Sequence, residues 1–496
     1  MKEETIGVGT NKQFVLSKKP FVCDGWKSET LSNGYVLSWH EGLKVEINKE
    51  NNVCLLGHAW SVTSDNQIIT LRGGTDSLLE AEKGWSGRYL LIIGNKIYLD
   101  ANGLLGVFYD KDTVSSSMNI MFRLRGQKMR YPKIKHGIPL DFIPGEYTEL
   151  EGVKRLLPSQ VLDYTTATTT SRELLPDKDF PDLTIDERNK LLDKYLATSM
   201  RNMQKEFSGC QMWLALTGGR DSRTSLAGLV RSGVNFKTFT LETLTIGEGD
   251  KKVPEMLSDC LGVEHRFIPL DKRKYSKKRM KDYFMNTAGI AVDADRYHYS
   301  YFQYDQLIED NKPIVVVKSN VYEDAKYYHN HYIKNGNEFS PTELSKVSPL
   351  LRCNRAYFNS LSDWYNKSIN DKINKEIGID CLYYWVMRCG CWLSGVEQSL
   401  DLYNNVTFAQ PVNSRVMLSL LMGYEAEERI KKVHQERFIA SICPQIKNVP
   451  YDSNFKGKKS QVISKVSERV KKIIWLLRNY KSLSSLKCAI RMVVHK

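Results

Sequence analysis

The stretch Leu214-Ala215-Leu216-Thr217-Gly218-Gly219-Arg220-Asp221-Ser222-Arg223 decides how this chain is read. A short apolar strand runs into two adjacent glycines, and a helix opens at once on Asp221 and Ser222. Glycines without a Cβ let backbone N–H groups turn toward a ligand. The helix N-terminus adds unpaired donors and a positive partial charge, a combination suited to phosphate or pyrophosphate. Thr217 and Ser222 can donate hydroxyl hydrogen bonds, and Asp221 can hold a divalent cation. The spacing and lysine of a Walker-type loop are absent. A plain glycine turn with Asp and Ser as ordinary helix-start residues satisfies the same local pattern.

Around this loop, strands alternate with helices. A helix over Asp221–Arg231 stops at Ser232-Gly233. Strands are expected at Phe236–Leu241, His265–Leu270 and Ile314–Lys318, with a helix over Lys251–Leu261 closed by Gly262. This alternation predicts a mostly parallel sheet with helices on both faces. Residues from about 380 to 445 have a helical pattern, and Tyr383, Tyr384, Trp385 and Trp392 are expected to pack the core.

Upstream, the first 160 or so residues read as short strands between turns. The clearest are Gly34–Trp39, Val53–His58 and Gly87–Asp100, the last folding into a hairpin at Gly94-Asn95. The polar run Thr165–Arg172, with prolines beyond it, marks a boundary. The expected units are 1–165, 180–450 and a tail, 451–496.

Composition limits the classes available. The 496 residues are 42% hydrophobic and 26% charged, an ordinary globular balance. No run approaches the length of a membrane span, and no apolar segment follows Met1, so the expectation is a cytoplasmic protein. Ten cysteines without paired C-x-x-C sets predict reduced thiols rather than a disulfide scaffold or zinc site. The net charge is +14, but Tyr451–Lys496 holds twelve Lys/Arg against Asp452 and Glu468. The nearly balanced body argues against a nucleic-acid groove. The tail's apolar residues recur at helical spacing among lysines; such a helix either docks on its own domain or lies on an anionic membrane surface.

With those residues in place, a family resemblance can be stated. Thr217-Gly-Gly-Arg-Asp-Ser222 resembles the S-G-G-x-D-S pyrophosphate loop of the asparagine synthetase family, one branch of the N-type ATP pyrophosphatases. Asp250 with Leu261-Gly-Val-Glu-His265, then Lys318–Asp324, then Gly395–Gln398 with Gln410–Asn413, are similar to that family's later motifs, in order, over roughly half the chain. Gly87–Ile93 with Asp100 and Gly103–Tyr109 resembles class II glutamine amidotransferase domains. Those use an N-terminal cysteine; here residue 2 is Lys and the first cysteine is Cys23. The β-lactam synthetase and lasso-peptide cyclase branch shares that loss.

The resemblance implies an α/β chain: an N-terminal Ntn-hydrolase-like α+β sandwich without glutaminase activity, then a doubly wound ATP pyrophosphatase domain with a helical C-terminal part. It implies an ATP-dependent amide-forming ligase that adenylates a carboxylate for attack by an amine, or by ammonia from a separate protein. ATP would lie over Leu216, Thr217, Gly218, Gly219, Arg220, Asp221, Ser222 and Arg223, with Mg²⁺ on Asp221 and Asp324. Tyr322 and Glu397 would serve the amine, and Lys456 (or Lys458) the developing phosphate charge. The substrate would be a small-molecule, peptide or glycan carboxylate. Arg220, Arg223, Asn320 and Val321 depart from the family pattern. Two other readings stand beside this one: a non-catalytic nucleotide-binding scaffold, and a tRNA-modifying ATP pyrophosphatase. For Glu323 with Asp324, a metal or acid/base pair competes with a loop of compensating surface charges. His265 is expected to be a structural, hydrogen-bonded histidine, and His329 with His331 is not expected to be a metal pair.

Overall fold

Aliphatic runs broken at Gly94-Asn95 build the first half of the computed structural model. The structure describes residues 9–67, 69–126, 143–148, 150–175, 180–243, 246–270, 302–309, 312–326, 338–347, 351, 355–403 and 406–455. Strand Val53–Ser61 pairs antiparallel with Trp85–Ile93, which turns at Gly94 into Lys96–Leu99. These three lie inside a six-stranded sheet flanked by Val45–Asn48 on one side and Gln160–Asp163 then Thr168–Ser171 on the other. A second six-stranded antiparallel sheet contains Phe14–Ser17, Val36–His40 and Thr113–Ser115.

The two sheets share one core. Phe14, Leu16 and Leu37 from one meet Leu56, Leu90, Ile92 and Leu99 from the other. On the outer face of one sheet, helix Thr75–Lys83 buries Leu78 against Leu55 and Leu91; on the other, Ile120 of Met118–Leu124 meets Val15 and Phe21. The threonine run read as a boundary contains an exposed edge strand, Thr168–Ser171, the last strand of its sheet in chain order. β-Branched threonines suit an extended edge even when nothing covers them.

The second half is built on a five-stranded parallel sheet. Its strands, in chain order, are Gln211–Ala215, Lys237–Leu241, His265–Ile268, Ile314–Val317 and Thr407–Ala409. In space the order is third, second, first, fourth, fifth. Alternate residues face opposite sides. Leu214, Val315 and Val317 join the core under helices Ile185–Glu206, Arg220–Ser232 and Glu248–Leu261, while Trp213, Phe239 and Val316 meet Val396 and Leu400 of Ser394–Tyr403. Helices thus cover both faces, as the alternation predicted. The fifth strand lies inside the region read as helical in pattern. It is three residues long, too short to show a period of two. The same region contains a π-helix, Tyr384–Leu393, whose Trp385 and Met387 are fully buried.

The halves are joined by charges taken out of water. Arg88 grips Asp401 through two bonds of 3.2 and 2.6 Å. Glu82, 2% exposed, lies between Arg172 and Arg415 at 2.7 and 2.8 Å. Lys12 reaches the carbonyl of Val406, and Asn413 bonds Asp100. Every described cysteine is a free thiol, Cys260 exposed and Cys54, Cys389, Cys391 and Cys443 buried. Among the described residues no helix is long and apolar enough to cross a membrane. The basic tail beyond Phe455, with Lys456 and Lys458, and the pair His329 and His331 lie outside the described residues.

Candidate functional site

A parallel sheet whose strand order reverses leaves a crevice at the carboxyl ends of the two strands where the connections part. Here that point lies between Gln211–Ala215 and Ile314–Val317. The glycine loop follows the first of these strands, and Lys318–Lys326 follows the other.

The loop is held from outside. Leu216 is buried, and its carbonyl accepts the Thr240 hydroxyl at 2.7 Å. The N–H of Gly218 donates to Asp250 Oδ1 at 2.8 Å, and its carbonyl accepts from the Asp452 N–H at 2.9 Å. A Cβ on Gly218 would lie 2.8 Å from the Cβ of Asp452, and one on Gly249 would lie 2.6 Å from the Asp452 Cα. Close approach of three chain segments therefore requires both glycines. Gly219 caps the helix without a side-chain bond to the first turn. Ser222 folds back on Thr217, their hydroxyls 3.1 Å apart.

Asp221 projects toward the crevice. Its Oδ2 accepts from Lys326 Nζ at 2.5 Å and its Oδ1 from Gln435 Nε2 at 3.1 Å. Lys432 adds a second, half-buried ammonium; burial, then Lys326 and Arg220, hold its pKa below the usual lysine value. The two arginines that depart from the motif turn away from the loop. Arg220 bonds Glu436 at 2.6 Å, and Arg223, fully buried, bonds the carbonyls of Val449 and Pro450.

The remaining sequence-expected residues are dispersed. Glu397 is fully buried, bonded to Lys318 at 2.6 Å and Gln410 at 3.2 Å. Burial alone disfavours the Lys318 charge, but the Glu397 carboxylate reverses this and keeps its pKa raised. Tyr322 lies in another environment, beside Ser225, where burial pushes its phenol up. Glu323 accepts from Tyr384 at 2.7 Å. Asp324 is buried near Cys389 and Asn102, with neither oxygen in a hydrogen bond of normal geometry, and burial pushes its carboxyl up to about 7. The structure thus gives Asp221 and Asp324 separate partners, and likewise Tyr322 and Glu397; Glu323 bonds Tyr384 and Asp324 is buried, so the two do not form a solvated patch. His265 is structural, bonded to Thr238 at 2.8 Å, and burial lowers its pKa to about 4. Among the described residues no group of three His, Cys, Asp or Glu side chains is placed to hold a metal.

Sequence reasoning missed Gln435, Glu436, Tyr451 and Asp452. Each comes to the loop from more than 200 residues downstream, and no local pattern announces that.

No protein-family model matches this chain, and no curated protein does. Among solved structures it is similar to NMN synthetase from Francisella tularensis, with 15% sequence identity, 41% of this chain and 93% of that chain covered, and a TM-score of 0.20. A likeness at that score supports no inference about fold or chemistry.

Proposed function

We propose that the chain is an ATP-dependent, amide-forming ligase that activates a carboxylate as its acyl-adenylate. The observation that carries this reading is the glycine loop at the carboxyl end of the first parallel strand, beside the point where strand order reverses, opening into a helix with no side-chain cap. Such a place offers backbone donors and a positive helix end to an anion. In this reading the loop binds the phosphates, and Lys326 and Lys432 add positive charge where the leaving pyrophosphate develops it negatively. Asp221 fits a magnesium site, which commonly uses one or two carboxylates plus phosphate oxygens; bound there, the ion would supply charge neutralisation. The N-terminal half, two face-packed sheets with a helix on each outer face, supports the reading of an amidotransferase-like domain of the Ntn-hydrolase type that lacks the nucleophilic cysteine. The amine or ammonia then comes from outside this half.

One observation favours the second reading, a nucleotide-binding scaffold without turnover: the loop's groups already have partners within the chain, Asp250 on Gly218 and Lys326 on Asp221. ATP–[³²P]pyrophosphate exchange against pooled carboxylic acids separates the two. Acid-dependent exchange that vanishes in Asp221→Ala supports the ligase; ATP binding without exchange for any pool supports the scaffold; no ATP binding refutes both.

A further inference from the structure

Arg223 has an unusual environment. Its guanidinium is fully buried, yet its acceptors are two backbone carbonyls, Val449 O at 2.7 Å and Pro450 O at 2.6 Å, rather than a carboxylate. The ring of Tyr451 lies 3.9 Å from it, and Arg220 approaches the same ring at 4.4 Å. Burying a charge without a carboxylate partner is costly, and burial lowers the Arg223 pKa. A small neutral side chain would avoid that cost.

What the arginine secures is register. One guanidinium touches three consecutive residues, 449, 450 and 451, and so fixes the direction and position of the strap they begin. The next residue, Asp452, then places its N–H on the Gly218 carbonyl at 2.9 Å and its Cα and Cβ against Gly249 and Gly218. From the other side, Asp250 holds the Gly218 N–H. Both peptide groups of Gly218 are therefore held by segments remote in sequence, while the uncapped helix end beside it keeps its donors. A loop fixed in this way loses little freedom on binding, and that raises affinity.

We propose that Arg223 is a positioning residue for polyphosphate binding: it does not contact the ligand, but clamps residues 449–452, with Tyr451 as the stacking partner, so that the glycine loop is held in its binding shape. This rests on the nucleotide reading above. It turns a residue that departs from the motif into part of the site's support.

The test is calorimetric titration of the full chain with inorganic pyrophosphate and with ATP, each with Mg²⁺, well below the thermal midpoint of every variant. Arg223→Met and Tyr451→Leu are expected to weaken both ligands by about tenfold or more, the loss of one well-placed charged hydrogen bond. Tyr451→Phe keeps the ring face and is expected within about threefold of wild type. Arg223→Lys, a point charge that cannot span two carbonyls, is expected to recover only part of the loss. A merely structural role would lower thermal midpoints and leave the affinity of the folded protein unchanged, so wild-type affinity in a folded Arg223→Met or Tyr451→Leu overturns the proposal. If Arg223→Met does not fold, the contrast between Tyr451→Leu and Tyr451→Phe decides. Failure of the wild-type chain to bind either ligand overturns the nucleotide reading and this one together; equal binding by wild type and variants overturns this one alone.

Discussion

The ammonium of Lys326 meets the carboxylate of Asp221 at 2.5 Å across the crevice between the first and fourth parallel strands. The pair is mostly buried, with side chains 11% and 23% exposed. Lys326 thus stands where a cation would meet Asp221. In Lys326→Met, Asp221 keeps only the Gln435 amide, and less Mg²⁺ is needed for ATP binding. We expect the half-saturating Mg²⁺ concentration to fall by about three- to tenfold, the effect of removing one nearby charge. ATP titrations across a Mg²⁺ series measure it, and an unchanged midpoint refutes the competition.

Asp324 makes stability depend on pH. The folded protein holds its proton up to about pH 7, while an unfolded chain releases it near pH 3.9. Between those values the folded state binds more protons, so this residue's contribution falls as pH rises from about 4 to about 7. Asp324→Asn keeps the shape and removes the titration. Relative to wild type it is expected to gain stability from about pH 4 to about pH 7 and to level off above that, by at most about 1.4 kcal/mol per pH unit. Denaturant unfolding at four or five pH values gives the difference; parallel profiles contradict the assignment.

Lys432 occupies a backbone conformation that favours glycine. Its φ is 61°, directly after helix Ala426–Lys431, whereas helices Arg220–Ser232 and Glu248–Leu261 end on Gly233 and Gly262 in the same conformation. Its ammonium also faces Lys326 and Arg220. Lys432→Gly relieves the backbone and the repulsion, and is expected to raise stability by about 0.5–1 kcal/mol. The same variant is expected to bind pyrophosphate more weakly. Opposite signs in unfolding and binding would mark strain kept for function.

Arg88 serves two carboxylates, Asp401 at 2.6 Å and Glu397 at 3.8 Å. Arg88→Met leaves acid buried without its counter-charge, at a cost of about 3–5 kcal/mol. Asp401→Asn in the Arg88→Met background is expected to recover part of that loss. Urea unfolding of the single and double variants tests this.

Much of the architecture was legible because it follows from local pattern. The glycine loop, the helix after it, the hairpin at Gly94 and four parallel strands each have apolar runs bounded by turn residues. The strand Thr407–Ala409 was not legible, being shorter than any period that would reveal it, and the threonine edge strand was hidden by its polarity. At the site, local reading singled out Asp221 and Gly218 but could not see their partners. Whether Glu397 is a base or half of a buried ion pair depends on Lys318, 79 residues away. Whether Arg223 faces a phosphate or a strap depends on Val449, 226 residues away.

The distances in sequence across the junction have a consequence for synthesis. Glu82 waits for Arg415 and Lys12 for Val406, separations of 333 and 394 residues. At about 5–20 residues per second, the gap between making Glu82 and making Arg415 is roughly 20–60 s. For that time Glu82 has at most Arg172 and Tyr89 as partners, and its Arg415 contact is still to be made. The N-terminal half therefore reaches its final packing only when the last parallel strand has left the ribosome, and premature termination before residue 415 leaves a fragment whose junction face stays charged and open to water.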